Sequence, residues 1–320
     1  MKIVVTGGAG FLGQRLIREV LRQGVLTNAA GERRPIAEIV AVDQVAAPAL
    51  ERVRSVVGDV GDPAFIARAA AEADSVFHLA AVVSGAAEAD FDLGMHVNLD
   101  GTRALLEALR AEGRRPKVVF ASSVAVFGGA LPEVVTDQTT PMPQSSYGVQ
   151  KLIGELLVGD YTRKGFIDGR AVRLPTIVVR PGKPNAAASS FASGIIREPL
   201  AGVEALCPVD PRAAMWVMSP PAAITNLVHA HELPADLWAG PRSLSLPGIT
   251  VAVSAMLDAL ATVGGAAARG RVKMQPDPRI QAIVQSWPAR FDTARADALG
   301  FVRDGDFESI VRDYAKEYVR

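Results

Sequence analysis

Tyr147 and Lys151 are the two residues whose types and spacing most directly suggest chemistry. If the segment Ser146–Lys151 opens a helix, the two side chains lie at positions i and i+4 on one face, about 6 Å apart along the axis. A phenol has an ordinary pKa of about 10, and an ammonium one turn away lowers it by favouring the phenolate. The pair therefore predicts a tyrosine that acts as a general acid or base. An ordinary amphipathic helix that carries both residues is the alternative.

Ser123 can supply a hydroxyl to the same site. It follows the apolar run Val118–Phe120, so it is expected at the carboxyl end of a parallel strand, where its hydroxyl can donate to a substrate oxygen. A turn serine or a helix N-cap is the alternative. Together, Ser123, Tyr147 and Lys151 form a set of hydroxyl donor, acid–base phenol and cation that is more specific than any one member.

A glycine-rich segment, Thr6–Gly13, separates an apolar run from an amphipathic one. Gly7 permits a tight turn, Gly10 lets backbone amides approach a pyrophosphate, and Gly13 lets a helix pack close to a sheet. The helix N-terminus adds partial positive charge for the phosphates. The segment thus favours a dinucleotide site over a plain turn. The predicted contacts are Gly7, Gly10, Phe11, Leu12 and Gly13.

Asp43 ends the second predicted strand. A carboxylate at that place accepts hydrogen bonds from the adenosine ribose and repels a 2′-phosphate, so it predicts NAD rather than NADP as the cofactor. Arg33 and Arg34, in the preceding loop, are cations that leave NADP open as an alternative. A simple turn residue is the other interpretation of Asp43.

Further cofactor contacts are expected after the next two strands. Asp59 and Val60 are placed to flank the adenine, and the small residues of Leu79–Ala81 let a cofactor lie against the backbone. The neighbouring His78 is interpreted as a packing residue rather than a base. Asn98 is disfavoured in the middle of a helix without a tertiary partner. We therefore assign Asn98 a hydrogen-bonding role in the active site, towards the cofactor.

A proline-stiffened segment after the sixth strand offers groups that suit a small polar acid. An arginine fork holds a carboxylate through two hydrogen bonds, and amide or hydroxyl groups read sugar hydroxyls. The predicted substrate-binding residues here are Arg180, Asn185 and Ser189, with Lys183 an equal candidate for the carboxylate and Ser84 a further contact. Each of them can instead be an ordinary surface residue.

The composition is that of a globular enzyme. The 320 residues are 49% hydrophobic and 21% charged, and the 34 Lys and Arg balance the 34 Asp and Glu, which predicts no nucleic-acid partner. The single Cys207 fits a reducing compartment. Met1 leads at once into a short strand, so we expect a cytoplasmic protein with no membrane association. His229 and His231 fall on a predicted helix, where residues at positions i and i+2 point in different directions. No Cys or carboxylate pair with the spacing of metal ligands accompanies them in the sequence, so no metal is predicted.

Strands and helices must alternate to bring these residues to one sheet edge. The predicted strands are Ile3–Thr6, Ile36–Val42, Arg54–Val57, Ser75–Leu79, Lys117–Ala121 and Gly169–Leu174, with Thr27–Pro35 as an insertion or loop. The predicted helices between them are Phe11–Arg22, Pro63–Glu72, Met95–Ala111 and Tyr147–Lys164. This rhythm predicts an α/β fold, a doubly wound parallel sheet with helices on both faces.

Prolines break the pattern from Pro175 onward. Helices are expected at Ile195–Leu200, Pro221–Leu233, Val253–Val263 and Asp306–Tyr318, and a short strand at Ser243–Leu246. We therefore predict a NAD-binding domain of residues 1–174 and a smaller C-terminal substrate-binding lobe of residues 175–320, with some elements returning to the first domain.

The motifs TGGAGFLG, HLAA, SSVAVFG and YGVQK, in this order with Asp43, resemble the extended short-chain dehydrogenase/reductase family over the whole length. Several segments, especially RLPTIVVRPGKPNAAASSFASGIIREPL, are similar to the D-erythronate dehydrogenases within it. The resemblance implies NAD-dependent oxidation of the C2 hydroxyl of a small sugar acid. It also implies nicotinamide contacts by Leu174, Pro175 and Thr176, with Tyr147 as base, Lys151 on the nicotinamide ribose and Ser123 on the hydroxyl. Phe127 departs from the tyrosine that many relatives carry.

Other functions of the same family remain open at this stage. Nucleotide-sugar 4-epimerases use the same serine, tyrosine and a tightly held NAD, and an enzyme like L-threonine dehydrogenase is a further option. A non-catalytic NAD sensor is a third, although a sensor has no need of the Ser123, Tyr147 and Lys151 set. The family also pairs the helices Met95–Ala111 and Tyr147–Lys164 of two chains, which implies a homodimer; core packing alone is the alternative explanation of their apolar faces.

Overall fold

Short apolar strands alternate with longer helices in the part of the chain that the computed structural model describes, residues 1–182, 188–238 and 240–319. The strands are β1 (Lys2–Thr6), β2 (Val25–Thr27), β3 (Arg33–Pro35), β4 (Glu38–Asp43), β5 (Val53–Val57), β6 (Ser75–His78), β7 (Lys117–Ser123), β8 (Asp168–Leu174), β9 (Thr176–Ile177), β10 (Ala205–Cys207), β11 (Ala214–Met218), β12 (Ser243–Ser245), β13 (Ile249–Ala252) and β14 (Val272–Met274). The helices are α1 (Phe11–Gln23), α2 (Pro63–Ala70), α3 (Ser84–Ala89), α4 (Phe91–Gly94), α5 (Gly101–Glu112), α6 (Ser146–Arg163), α7 (Ser190–Leu200), α8 (Pro220–Glu232), α9 (Val253–Gly270), α10 (Pro278–Gln285), α11 (Ala294–Ala298) and α12 (Phe307–Tyr318). A π-helical segment, Met95–Asp100, joins α4 to α5 without a break.

A seven-stranded parallel sheet has the order β12-β8-β7-β6-β1-β4-β5. The chain moves outward from β1 in one direction and then returns to β6 on the other side, so the strand order reverses between β1 and β6. In doubly wound folds, ligands bind at the carboxyl ends of the two strands that flank such a reversal. The predicted α/β fold class is confirmed.

The central strands β1 and β4 carry buried apolar side chains on both faces, as a parallel sheet covered by helices requires. In β1, Ile3, Val4 and Val5 are fully buried, and Val40 and Val42 of β4 join the same core. Each such side chain contributes about 1.5–3 kcal/mol by leaving water. This buried core holds the strand ends, and therefore the site residues, in fixed positions.

The structure refines two local predictions. Residues 27–35 do not form a plain loop, because β2 and β3 pair as an antiparallel hairpin whose turn is held by the Asn28 side chain, which accepts from the Ala30 and Glu32 amides. The predicted helix Met95–Ala111 is not uniform, because its first six residues are π-helical. The other strands and helices predicted for the first half of the chain are confirmed within a few residues at each end.

The chain divides into two compact units. The first comprises Met1–Val126, Ser145–Arg173 and Ile224–Ser245 and contains the seven-stranded sheet except for the last residue of β8. The second comprises Phe127–Gln144, Leu174–Ala223 and Leu246–Arg320. The division into residues 1–174 and 175–320 stays a prediction.

The second unit has its own core. Its strands form a three-stranded sheet of order β13-β11-β9 and a pair β10-β14, and α7, α9 and α12 bury apolar residues such as Ile195, Leu260 and Ile310 against one another. No described helix is both long enough and apolar enough to span a bilayer.

Candidate active site

The junction between β1 and α1 requires glycine at positions 7 and 13. Gly7 has a φ of +71°, and a Cβ placed on it would lie 2.9 Å from the Ala80 amide nitrogen. A Cβ on Gly13 would lie 2.1 Å from the Gly7 carbonyl oxygen. Gly10 is the N-cap of α1 and donates its amide to the Gly7 carbonyl at 3.1 Å. The tight turn leaves the N-terminus of α1 exposed at Gly10, next to Phe11 and Leu12, and a helix N-terminus of this kind suits a pyrophosphate.

Asp43 ends β4 beside this turn. Its Oδ2 accepts a hydrogen bond from the Ala9 amide at 3.0 Å, and its Oδ1 accepts from the Gln44 amide at 2.8 Å. The carboxylate is therefore fixed in orientation by the backbone on both sides. An acidic group held there can receive ribose hydroxyls on its remaining lone pairs.

His78 is a neutral link in a directional chain of hydrogen bonds. The Thr102 hydroxyl donates to the Asn98 carbonyl at 2.6 Å, so its oxygen accepts from His78 Nε2–H at 3.0 Å. His78 Nδ1 is then the acceptor for the Thr6 hydroxyl at 2.6 Å, whose oxygen accepts from the Ala80 amide at 3.2 Å. Burial, with a smaller effect of the Lys151 charge, lowers the pKa of His78 to about 3. His78 is a satisfied packing residue, which agrees with the prediction.

Asn98 uses its side chain within the protein. Its Oδ1 accepts from the Val82 amide at 2.8 Å, and its Nδ2 donates to the Val82 carbonyl at 3.0 Å and to Gln150 Oε1 at 2.7 Å. Both Nδ2 hydrogens are therefore engaged. This residue connects the segment after β6, which contains Leu79, Ala80 and Ala81, to α6. Its proposed contact with a cofactor stays a prediction.

Lys151 is buried between α6 and β7. Its Nζ donates to the Ala121 carbonyl at 2.9 Å and lies 4.8 Å from the centroid of the Phe120 ring and 5.7 Å from that of Tyr147. Burial lowers the pKa of Lys151 to about 8, against an opposite effect of Glu155. A cation so close to a phenol favours the phenolate, as the i, i+4 spacing predicts.

Tyr147 and Ser123 are brought to the same end of the sheet as Lys151. Ser145 is the N-cap of α6 and accepts from the Gly148 amide at 3.1 Å, so Tyr147 lies in the first turn of the helix and is half-buried. Ser123 is the last residue of β7, the strand that Lys151 binds, and is also half-buried. Its Oγ accepts from the Ala125 amide at 3.1 Å and keeps a hydroxyl proton to donate.

Asp59 and Val60 follow β5 in the sequence, as predicted. Val60 is buried, but the Asp59 carboxylate is engaged: it accepts from the Gly61 amide at 2.8 Å and from His96 Nε2 at 2.6 Å. The hydrogen bond from His96 lowers the pKa of Asp59, and the same bond raises the pKa of His96. The Asp59 carboxylate is thus hydrogen-bonded to His96, and its contact with an adenine stays a prediction.

The predicted substrate residues are spread over both units. Ser84 is half-buried at the start of α3 in the first unit. In the second unit, the Arg180 amide donates to Ser193 Oγ at 3.1 Å, its carbonyl accepts from Arg197 at 2.8 Å, and Ser189 is the N-cap of α7. Leu174, Pro175 and Thr176 also belong to the second unit, where Thr176 pairs with Val217. Asn185 and Lys183 lie outside the described residues.

Three site residues escaped the sequence interpretation. Gln150, between Tyr147 and Lys151 in the chain, is 1% exposed and bonds Asn98. Glu155 and Arg173 form a buried ion pair at 2.7 Å behind β7. The signal was present for Glu155 alone, because it repeats the four-residue spacing of Tyr147 and Lys151.

Comparison with known proteins gives one family and close relatives. The model of the NAD dependent epimerase/dehydratase family matches residues 3–210. The chain is 53% identical over 320 residues to a D-erythronate dehydrogenase of Cupriavidus necator, covering 99% of this chain and 98% of that protein. It is 44% identical over 318 residues to a D-erythronate dehydrogenase of Haemophilus influenzae, covering 98% of each. A crystal structure of a nucleoside-diphosphate-sugar epimerase from Agrobacterium tumefaciens superposes with a TM-score of 0.93 at 39% identity, covering 99% of this chain and 94% of that one.

Proposed function

Since the chain belongs to the NAD dependent epimerase/dehydratase family, we propose that it oxidises the C2 hydroxyl of a small sugar acid, with D-erythronate as substrate and 2-oxo-tetronate as product. The family and the relatives support the coarser part directly: the chain is an NAD-dependent oxidoreductase that acts on a CH–OH group. The names of the two relatives support the particular substrate.

The residues of the first unit fit the cofactor. The glycine turn and the N-terminus of α1 would hold its pyrophosphate, Asp43 its adenosine ribose, and Lys151 its nicotinamide ribose. A Cβ on Gly7 or Gly13 would collide with neighbouring backbone atoms, so glycine is required for the tight turn that this assignment needs, which supports it. When bound, NAD⁺ accepts a hydride from the carbon that carries the substrate hydroxyl.

Tyr147 removes the hydroxyl proton in this proposal. As a phenolate it accepts that proton, and the Lys151 ammonium, 5.7 Å from its ring centroid, stabilises the negative charge before transfer. Ser123 donates its hydroxyl proton to the substrate oxygen and orients it. The buried Lys151, bonded to β7 and facing the Tyr147 ring, is the single observation that carries the proposal.

We propose that a cation, an amide and hydroxyl groups recognise the acid. Arg180 can bind the carboxylate with a two-pronged hydrogen bond, and Asn185, Ser189 and Ser84 can bind the sugar hydroxyls. We also propose a cytoplasmic homodimer, formed through the helical faces of α5 and α6, on which Leu156 is 65% exposed.

An absorbance assay tests the function. Purified protein with NAD⁺ and a panel of four- to six-carbon aldonic acids should produce NADH, most rapidly with D-erythronate. Tyr147→Phe should lower kcat at least about a hundredfold, within the range for acid–base catalysis, and should still bind NAD. If the wild type forms NADH with no acid of the panel, the proposed function is contradicted. If Tyr147→Phe keeps a substantial rate, the role of the phenol is contradicted.

The epimerase structure at 39% identity favours a second candidate, a nucleotide-sugar epimerase. That reaction returns the hydride to the sugar, so it predicts turnover of UDP-sugars with no net NADH. Including UDP-sugars and L-threonine in the panel separates the epimerase and the threonine dehydrogenase alternatives from the sugar-acid dehydrogenase.

A further inference from the structure

We propose that Glu155 is a positioning residue of this site: it holds the end of β7 against α6, which places Ser123, and it keeps a negative charge one turn from Lys151. The proposal rests on the proposed dehydrogenase function for its kinetic readout.

The geometry begins with two neighbouring attachments between α6 and β7. Lys151 Nζ donates to the Ala121 carbonyl at 2.9 Å, and the Ser122 hydroxyl donates to Glu155 Oε1 at 2.5 Å. Lys151 and Glu155 are one helical turn apart, and Ala121 and Ser122 are consecutive in the strand. The next residue is Ser123, so the position of its hydroxyl relative to α6 is set by these two bonds.

Arg173 binds both oxygens of the Glu155 side chain. The Arg173 Nε lies 2.9 Å from Oε1 and 3.2 Å from Oε2, and its Nη2 lies 2.7 Å from Oε2. Glu155 is 4% exposed and Arg173 is 6% exposed. A forked pair of this kind fixes the plane of the carboxylate as well as its place, so the oxygen that receives the Ser122 hydroxyl has little freedom to move.

The charge of Glu155 also acts on Lys151. Among the described residues, the charged or titratable groups that face Lys151 are Glu155 and Tyr147 from its own helix and His78 from β6. Arg173 of β8 is bonded to Glu155. His78 is neutral, and burial lowers the pKa of Lys151 to about 8, so Glu155 is the group that opposes this loss of charge. Without Glu155, the ammonium that supports the phenolate would disappear at a lower pH.

The decisive variant is Glu155→Gln. It keeps the shape and the hydrogen bond with Ser122 but removes the charge. The basic limb of the pH profile of kcat/KM should move towards acid by about one pH unit, from the Coulomb energy of two charges one turn apart. Ser122→Ala removes the bond but keeps the charge, so it should lower kcat about tenfold and leave that limb in place. Asp160→Asn, which removes an exposed carboxylate from the same helix, should change neither.

A profile of Glu155→Gln that superposes on the wild-type profile overturns the electrostatic role, and unchanged kcat in Ser122→Ala overturns the placement of Ser123. If loss of the Glu155 charge beside Arg173 unfolds the single variant, Glu155→Gln/Arg173→Gln carries no buried charge at either position. It should show a smaller shift in the same direction, because the more distant positive charge is lost as well. NMR titration of the Lys151 ammonium, assigned by its loss in Lys151→Met, needs no substrate. It should show a lower pKa in Glu155→Gln, and an unchanged value overturns the proposal even if the sugar-acid activity is absent.

Discussion

Replacement of Lys151 by methionine should stop turnover and at the same time leave the protein as stable as wild type, or more stable, at pH 7. Lys151 is 3% exposed, and burial lowers its pKa from 10.5 to about 8. Methionine fills nearly the same volume and has no charge to bury. Under the proposed mechanism, Lys151 is required for chemistry and unfavourable for folding, which is a common compromise in enzymes.

The size of the effect follows from two opposing contributions. A pKa depressed by about 2.5 units corresponds to about 3 kcal/mol of unfavourable free energy for the charged form in the folded state. The hydrogen bond to the Ala121 carbonyl, at 2.9 Å, is lost in the variant and offsets about 1.5–3 kcal/mol of that gain, as expected for a charged donor. Lys151→Met should therefore raise the free energy of unfolding by about 0–2 kcal/mol.

The pH dependence has a definite sign. Between pH 8 and pH 10.5 the unfolded lysine is protonated while the folded one is losing its proton, so wild type gains stability as the pH rises through this window. Below pH 8 the full penalty is present. Relative to Lys151→Met, wild type should gain about 1 kcal/mol between pH 7 and pH 9.

Urea unfolding of the ligand-free wild type and Lys151→Met at pH 7 and pH 9 measures both quantities. Lys316→Met, at an exposed position, is the control and should stay within about 0.5 kcal/mol of wild type at both values. A variant that is more than about 1 kcal/mol less stable than wild type at pH 7, or a difference that does not change with pH, would refute the reasoning from burial.

Two further substitutions test the cofactor side of the site. Asp43→Ala should shift the ratio of kcat/KM for NAD and NADP towards NADP, because the carboxylate that repels a 2′-phosphate is gone; an unchanged ratio contradicts the ribose assignment. Gln150→Leu removes one acceptor from Asn98, so the segment after β6 should be held about 1 kcal/mol less firmly and the KM for NAD should rise about fivefold. Val149→Ala, at an exposed neighbouring position on α6, is the control. If its KM for NAD rises equally, the effect comes from a general change in the helix and not from the bond between Gln150 and Asn98.

The sheet was predictable because its strands carry local signals. Runs such as Ile3–Thr6 and Val118–Phe120 are apolar and β-branched or aromatic, and a glycine turn marks the first strand-to-helix junction. The proposed set of Ser123, Tyr147 and Lys151 could be selected from the sequence for the same reason, since Tyr147 and Lys151 are close in the sequence and Ser123 ends a strand. Their placement at one sheet edge follows from the order of a doubly wound fold.

The supporting polar contacts were not predictable in the same way. Gln150 bonds Asn98 across 52 positions, and Arg173 reaches Glu155 across 18. Such partners are brought together by tertiary packing, and the residue type alone does not show whether a glutamine is buried or exposed. The hairpin of β2 and β3 was missed because its strands have only three residues each, too few for an alternating pattern.

The π-helical segment has a consequence for how this site can vary. Gly94, Asn98 and Thr102 lie at intervals of four residues and face Gln150, Val82 and His78, respectively. In a regular α-helix each such step overshoots a full turn by about 40°, whereas the wider i→i+5 turn takes up part of that rotation. Deleting a single residue between positions 95 and 100 would rotate one end of the helix against the other by about 100°, which separates contacts that no side-chain substitution nearby could restore. The length of this short stretch is therefore constrained more tightly than its composition.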